Sequence, residues 1–361
     1  MESRSRSMTG STAINPSGLT VPTLRSERKF NVFLLLFGRG FISFFSGAGF
    51  NYMAQPLRFA WGIQQFDGHG CRKILRYTAS IFPGTTRQLP MQNRMMITGA
   101  GSGLGREIAL RWAREGWQLA LSDVSEPGLQ ETLKQVREAG GDGFIQRCDV
   151  RDYSQLTAFA QACEERLGGI DVIVNNAGVA SGGFFSELSL EDWDWQIAIN
   201  LMGVVKGCKA FLPLLEKSKG KIINIASMAA LMQGPAMSNY NVAKAGVVAL
   251  SESLLIELAQ QEIAVHVVCP SFFQTNLLDS FRGPTPAMKA QVGKLLESSP
   301  ITASDIADYI YQHVAAGEFM ILPHEQGRMA WALKQKNPQL LYNEMTVMAD
   351  KMRAKARQSA S

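Results

Sequence analysis

The sequence predicts an α/β fold: a doubly wound parallel sheet of about seven strands, with helices on both faces. Three observations carry that prediction. From Arg94 onward, short apolar strands alternate with amphipathic helices. The strands are apolar along their whole length, as strands covered on both faces must be, and such sheets are parallel. The first strand also runs directly into a glycine-rich turn that opens a helix.

That strand is Met95 to Ile97, and the turn is Thr98-Gly99-Ala100-Gly101-Ser102-Gly103-Leu104-Gly105, with a helix from Arg106 to Glu115. Glycines let the backbone approach a pyrophosphate, and the free N–H groups at the helix start receive its charge. A bare glycine fingerprint is a weak signal; the strand-turn-helix context strengthens it and makes the fold Rossmann-type. The next strand, Trp117 to Ser122, ends in Asp123, twenty residues after Gly103. A carboxylate there accepts hydrogen bonds from an adenosine ribose and repels a 2′-phosphate. No Lys or Arg occupies positions 100–104, and Val124 and Ser125 are neutral. The expectation is NAD over NADP, with Arg106 near enough to soften the preference. The plainer role for Asp123 is to cap the following turn, and the two roles are compatible.

A helix from Gly128 to Ala139 and the pair Gly140-Gly141 lead to strand Phe144–Arg147 and then Cys148-Asp149-Val150. Helix Tyr153–Leu167 precedes strand Ile170–Val174, which closes in Asn175-Asn176-Ala177-Gly178. Right-handed crossovers place ligands at the carboxyl ends of such strands, where all these motifs fall. Asn200, in a helix read from Trp195 to Val205, is by itself an ordinary polar residue. Strand Lys221–Ala226 then releases Ser227 at its C-terminal end, and a Met- and Gly-containing loop enters a helix carrying Tyr240 and Lys244. Residues four apart share a helix face. A lysine beside a tyrosine stabilises the phenolate, drawing its pKa below the free value of about 10. Ser227 is placed to hydrogen-bond the same substrate oxygen. A Tyr-x-x-x-Lys pair alone is common on helices, so its accompanying motifs decide the reading.

Strand Ile263–Val268 runs into Cys269-Pro270-Ser271-Phe272-Phe273-Gln274-Thr275. Residues 276–300 read as a loop with a short helix. Thr302 to Asp305 caps a helix to about Ala316, and Phe319–Leu322 is the last strand. An amphipathic, basic helix then runs to about Lys355, with packing on the body as its default role.

The 361 residues are 46% hydrophobic and 19% charged, an ordinary globular composition. The net charge of +5 is uneven: residues 1–90 hold eleven Lys/Arg against three Asp/Glu, a net of +8, which leaves −3 for residues 91–361. A mildly acidic body argues against a nucleic-acid surface. The five cysteines are scattered without a Cys-x-x-Cys pair, and the four histidines form no cluster. Core cysteines, no disulfide frame and no metal site are expected.

Residues 1–90 read as an extension. The first thirty, rich in Ser, Thr and Arg, have a disorder-like composition. Residues 30–50 are strongly apolar around Arg39. A membrane anchor, an organelle leader, and a segment outside the working protein are the three readings. The third is preferred, because Met91 lies three residues before Arg94. The expected division is therefore 1–90 extension, 91–325 catalytic domain and 326–361 helical tail, in a cytoplasmic protein unless the extension is genuine.

From Thr98 to Lys244 the motifs resemble, in order, those of the short-chain dehydrogenase/reductase family, single-domain branch. The resemblance covers about residues 94–280, with weaker similarity to about 325. It rests on the TGxxxGxG turn from Thr98 to Gly105, Asp149, the Asn-Asn-Ala-Gly of Asn175 to Gly178, Asn200, and Ser227 with Tyr240 and Lys244. It implies Tyr240 as general acid/base and Lys244 as the group that tunes it and holds the nicotinamide ribose. Ser227 would polarise the substrate oxygen, and Asn200 would anchor a proton-relay water. The dinucleotide site it implies comprises Thr98, Gly99, Gly101, Ser102, Gly103, Leu104, Gly105, Asp123, Asp149, Val150, Asn176, Ala177, Gly178, Tyr240, Lys244, Pro270 and Thr275. Family members usually have Pro-Gly where this chain has Pro270-Ser271, and the Gly-rich closing motif of many acyl-carrier-protein reductases is absent. The fatty-acid role is therefore not carried over.

The expected function is oxidoreduction between an alcohol and its ketone or aldehyde. Met228, Met232, Met237, Phe272, Leu277, Leu278 and Phe281 would supply an adaptable apolar pocket. The alternative is a catalytically silent nucleotide-binding regulator, against which the intact proton machinery argues. An extended-branch epimerase or dehydratase is disfavoured by glycine spacing, and neither a Gly-x-Ser-x-Gly elbow nor a P-loop is present. The resemblance further implies a homodimer or homotetramer.

Overall fold

A computed structural model describes residues 93–274, 280–283 and 286–360. The extension with its apolar 30–50 run, Thr275, Leu277 and Leu278 lie outside the described residues. The sheet contains β1 (Arg94–Thr98), β2 (Gln118–Asp123), β3 (Asp142–Arg147), β4 (Val172–Asn175), β5 (Lys221–Ile225), β6 (Ala264–Val268) and β7 (Met320–Ile321). These seven strands are ordered β3-β2-β1-β4-β5-β6-β7, and every neighbouring pair is parallel. The strand order reverses between β1 and β4, and a crevice opens at the carboxyl ends of such a switch point.

The helices connecting the strands are α1 (Gly103–Ala113), α2 (Glu126–Glu138), α3 (Tyr153–Leu167), α4 (Leu190–Asn200), α5 (Met202–Ser218), the short α6 (Ala229–Met232) and α7 (Ser238–Glu257). After them come α8 (Pro286–Glu297), α9 (Ala303–Ala315), α10 (Glu325–Lys336) and α11 (Pro338–Ala360). Helices cover both sheet faces because the strands alternate apolar side chains into two cores. Met96, Ala120, Ile173 and Ile222 point to a core shared with Phe159, Phe211 and Val247. Met95, Ile97, Leu119 and Ile223 point to the other, with Ile108, Trp112, Leu129 and Ile306. The stretch Leu190–Ser218 is long and apolar enough to cross a membrane by length and composition. Its Val204, Phe211 and Leu215 are buried in the first core, so its apolarity is that of a packed helix.

Two boundaries differ from the sequence expectation. The helix read through Asn200 breaks at Leu201, leaving Asn200 as the last residue of α4. The tail is two helices rather than one. Asn337 is extended (φ −145°, ψ 78°) because the following Pro338 disfavours a helical residue before it.

β1 enters the sheet beside a buried ion pair. Arg94 Nε lies 2.9 Å from Asp171 Oδ2, the Arg94 Nη1–H donates to the Gly168 carbonyl at 2.6 Å, and Asp171 also accepts from the Arg94 backbone N–H at 3.0 Å. Both residues are buried, at 7% and 2% exposure. Removing one partner strands the other charge away from water. Asp171→Ala is therefore expected to destabilise by roughly 3–5 kcal/mol in chemical denaturation; a loss below about 1 kcal/mol would show the pair to be solvated.

Candidate active site

The turn after β1 owes its shape to close backbone approaches. Gly99 has φ +67°, a conformation that residues with a Cβ rarely adopt. A Cβ at Gly105 would sit 2.1 Å from the Gly99 carbonyl and 2.5 Å from the Asn176 side-chain nitrogen. Thr98 Oγ1 accepts from the backbone N–H groups of Asn176 and Ala177, each at 3.1 Å, while the Asn176 amide donates to the Thr98 and Gly99 carbonyls at 3.0 Å. The ends of β1 and β4 are thereby locked together, which brings Gly178 and Ala177 beside the glycine-rich turn. Ser102, exposed at the start of α1, makes no capping bond with its side chain. The N–H groups of the first helical turn are left for an anionic ligand.

Asp123, at the end of β2, packs on this turn. Its carboxylate accepts from Gly101 N–H at 3.0 Å and from Ser125 N–H at 2.9 Å, so the capping role is present. Arg106 is committed to the turn and to α2, donating to the Gly101 carbonyl at 2.5 Å and to Thr132 Oγ1 at 2.9 Å. Asp149 is chelated by Arg151 at 2.6–3.0 Å, and this pairing holds its carboxyl below the usual range. Val150 is buried and would meet a Cβ added at Gly203. A glycine-tight cradle, an uncapped helix start and a carboxylate at the end of β2 fit a dinucleotide.

At the other end of the crevice, β5 delivers Ser227 and α7 delivers Tyr240 and Lys244. Two backbone bonds, Ala226 N–H to the Val268 carbonyl (2.7 Å) and Met228 N–H to the Pro270 carbonyl (2.8 Å), fix the chain on either side of Ser227. The Ser227 hydroxyl reaches the Pro270 carbonyl at 3.4 Å and accepts from the Ala229 N–H at 3.1 Å. Lys244 is 4% exposed, donates from Nζ to the Ile225 carbonyl at 2.8 Å, and lies 5.9 Å from the centre of the Tyr240 ring. Asn200 is fully buried and clasps the Val179 backbone, accepting from its N–H and donating to its carbonyl, both at 2.8 Å. A Cβ on Gly178 would lie 3.2 Å from Asn200 Oδ1 and 3.6 Å from Lys244 Nζ. The four residues expected to be catalytic therefore converge on one cleft.

One electrostatic expectation is corrected. Burial pushes the Tyr240 phenol above its ordinary value, opposed by the Ser227 hydrogen bond, and burial draws the Lys244 amine down to about 8. Desolvation is the largest cause at both groups. The thiols of Cys148, Cys208 and Cys269 are buried and pushed up to about 11, 12 and 12, so they behave as core residues rather than nucleophiles.

Sequence reasoning missed the support behind these groups. Asn239 Nδ2 donates to Ser181 Oγ (2.7 Å), Ser181 Oγ to Gln196 Oε1 (3.0 Å), and Gln196 Nε2 to the Val179 carbonyl (3.1 Å). Asn239 Oδ1 in turn accepts from the Tyr240 N–H at 2.8 Å. Gln196 stands one helical turn before Asn200, and that spacing was the only trace in the sequence. His324 was missed too: its ring accepts from Ser271 N–H at 3.1 Å and contacts the Phe272 carbonyl at 3.1 Å.

Residues 93–284 match the short chain dehydrogenase family. The chain belongs to that family. It is 34% identical over 226 residues to the 2-(R)-hydroxypropyl-CoM dehydrogenase of Xanthobacter autotrophicus, covering 61% of this chain and 90% of that protein. It is 31% identical over 251 residues to a CLA biosynthesis dehydrogenase/reductase of Lactiplantibacillus plantarum, covering 64% of this chain and 88% of that protein. Among solved structures, a short chain dehydrogenase/reductase from Burkholderia phymatum in complex with NAD superposes with a TM-score of 0.65 at 34% identity, over 69% of this chain and 94% of that one. This short-chain dehydrogenase is thus an oxidoreductase by family, with NAD-bound structural relatives.

The depressed amine has a consequence for stability. A lysine whose pKa falls from 10.5 unfolded to about 8 folded binds fewer protons when folded, so stability rises with pH across that window. Lys244→Met is expected to unfold at higher denaturant than the parent at pH 7, with the gap narrowing from pH 8 to 10.5. Equal midpoints at pH 7 would mean that the amine is solvated.

Proposed function

We propose that the protein interconverts an alcohol and its ketone or aldehyde, with NAD as hydride carrier. One observation carries the reading: at the carboxyl ends of the central strands, beside Ser227, the half-buried Tyr240 has its ring centre 5.9 Å from an amine buried to 4% exposure. A buried lysine whose bond among the described residues is to a main-chain carbonyl costs stability, and a sensor or scaffold has no use for that cost. The nicotinamide, when bound, exchanges a hydride with the carbon bearing the oxygen. The chain's own residues handle the proton. In reduction Tyr240 gives its hydroxyl proton to the substrate oxygen as the C–H bond forms, and in oxidation it takes that proton back.

Ser227 holds the same oxygen from the β5 side and stabilises the phenolate that reduction leaves. Lys244, positively charged near neutral pH, favours that phenolate. Asn200, through its clasp on Val179, holds the wall of the cleft beside Lys244. Met228 and the half-buried Met232 and Met237 border the loop after Ser227 and support an apolar substrate. The glycine-rich turn and the start of α1 would hold the pyrophosphate, and Asp123 the adenosine ribose.

Tyr240→Phe is expected to lower kcat by about 10²–10⁴-fold while NADH binding, followed by fluorescence, stays within threefold or so. Retained turnover would remove Tyr240 from the chemistry. Asp123→Ala is expected to cut the NAD-over-NADP preference in kcat/KM by roughly 10–100-fold, the worth of a charge-assisted hydrogen bond. An unchanged ratio would leave Asp123 as a cap alone.

A further inference from the structure

The β6–β7 ladder ends in an unusual way. Val267 N–H donates to the Phe319 carbonyl at 2.7 Å, and Cys269 N–H to the Ile321 carbonyl at 2.9 Å. The next rung by the same step of two would join Ser271 N–H to the Pro323 carbonyl. That carbonyl instead accepts from Arg328 Nη1–H at 3.2 Å, and the guanidinium also takes the Leu322 carbonyl at 2.7 Å. Ser271 N–H turns to His324 Nδ1 at 3.1 Å, while Nε2 of the same ring meets the Phe272 carbonyl at 3.1 Å. A ring that accepts at one nitrogen and faces a carbonyl at the other is the neutral Nε2–H tautomer. At 7% exposure, water does not compete for either bond.

This turn is the one that reaches Ser227. The Pro270 carbonyl, one residue before Ser271, accepts from Met228 N–H at 2.8 Å and from the Ser227 hydroxyl at 3.4 Å. The helix that follows His324 closes on the same loop: Gly327 in α10 packs where a Cβ would lie 3.1 Å from Met228 Sδ, and Lys334 Nζ donates to the Leu231 carbonyl at 2.5 Å. His324 and the helix after it therefore hold both loops beside Ser227, one through an imidazole and one through a helix.

We propose that His324 is a positioning residue for the reaction: its neutral ring replaces the missing strand rung and fixes the Pro270–Phe272 turn, and through it the Ser227 hydroxyl. The serine in place of a glycine after Pro270 changes nothing in this arrangement, because the contact is made by its backbone N–H. The role in turnover rests on the oxidoreductase reading above; the tether to the turn does not.

Two measurements on the full chain separate those claims. Hydrogen exchange compares the parent with His324→Leu: peptides spanning 270–274 are expected to exchange at least tenfold faster, with those of β1 and β4 unchanged. Unaltered exchange in 270–274 overturns the tether whether or not the protein is active. With an alcohol and ketone panel, the same variant is expected to lose about tenfold in kcat with NADH affinity held within about twofold, the size of one lost hydrogen bond. His324→Asn, which keeps an acceptor near the Nδ1 position, is expected to restore most of the kcat. Faster exchange with unchanged kcat, or a loss that His324→Asn does not mend, overturns the positioning role. A parent protein inactive on the whole panel counts against the oxidoreductase reading and leaves the exchange result to decide the tether.

Discussion

A buried ammonium group held by a single main-chain carbonyl is the constraint around which the cleft is organised. Lys244 can donate to Ile225 only if β5 ends where it does and α7 crosses that end at one depth. Isolated charge in a protein interior is costly unless paired. Burial draws its pKa down to about 8. The rest of the sheet supplies the offsetting burial: Ile222, Ile223, Val247 and Val267 are all fully buried around β5 and α7. A site of this kind trades stability for a proton-handling group that water does not level.

Behind the amine, the wall of the cleft is polar but satisfied. Asn200, Gln196, Ser181 and Asn239 are each at or below 2% exposure, and their bonds run from α4 through the 179–181 segment to the Tyr240 backbone. Fully connected networks of this sort rigidify, because each group lost would leave another unpaired in low dielectric. A second buried set, Asn175, Asn224, Cys208 and Ser251, ties β4 to β5 and to the flanking helices α5 and α7. The two sets hold the strand ends in register where the motifs emerge.

The legible parts of the sequence were those with a local physical signature. Strand apolarity gave the parallel sheet, and the order β3-β2-β1-β4-β5-β6-β7 matches the doubly wound expectation. Glycines at 99 and 105 were read as letting the backbone approach a pyrophosphate, and in the structure their missing Cβ atoms also make room for the Ala177 backbone and the Gly99 carbonyl. Less legible were features set by partners far along the chain. His324 follows a proline in an unremarkable stretch, and nothing near it in sequence announces Ser271, 53 residues away. The break at Leu201 was hidden for a related reason: residues 190–218 keep helical apolarity throughout, so composition did not mark the interruption.

By itself, then, the sequence determined the fold, the family and the identities of the residues that meet in the cleft, because periodicity, glycine placement and short motif spacings are local quantities. Tertiary structure alone decided the protonation energetics. A lysine one turn from a tyrosine reads as a charge that lowers the phenol's pKa, but desolvation raises it. It also decided that the tail, through His324 and Gly327, braces the loops beside Ser227. Desolvation and long-range contact depend on what the whole chain packs around a group, and no window of sequence contains that information.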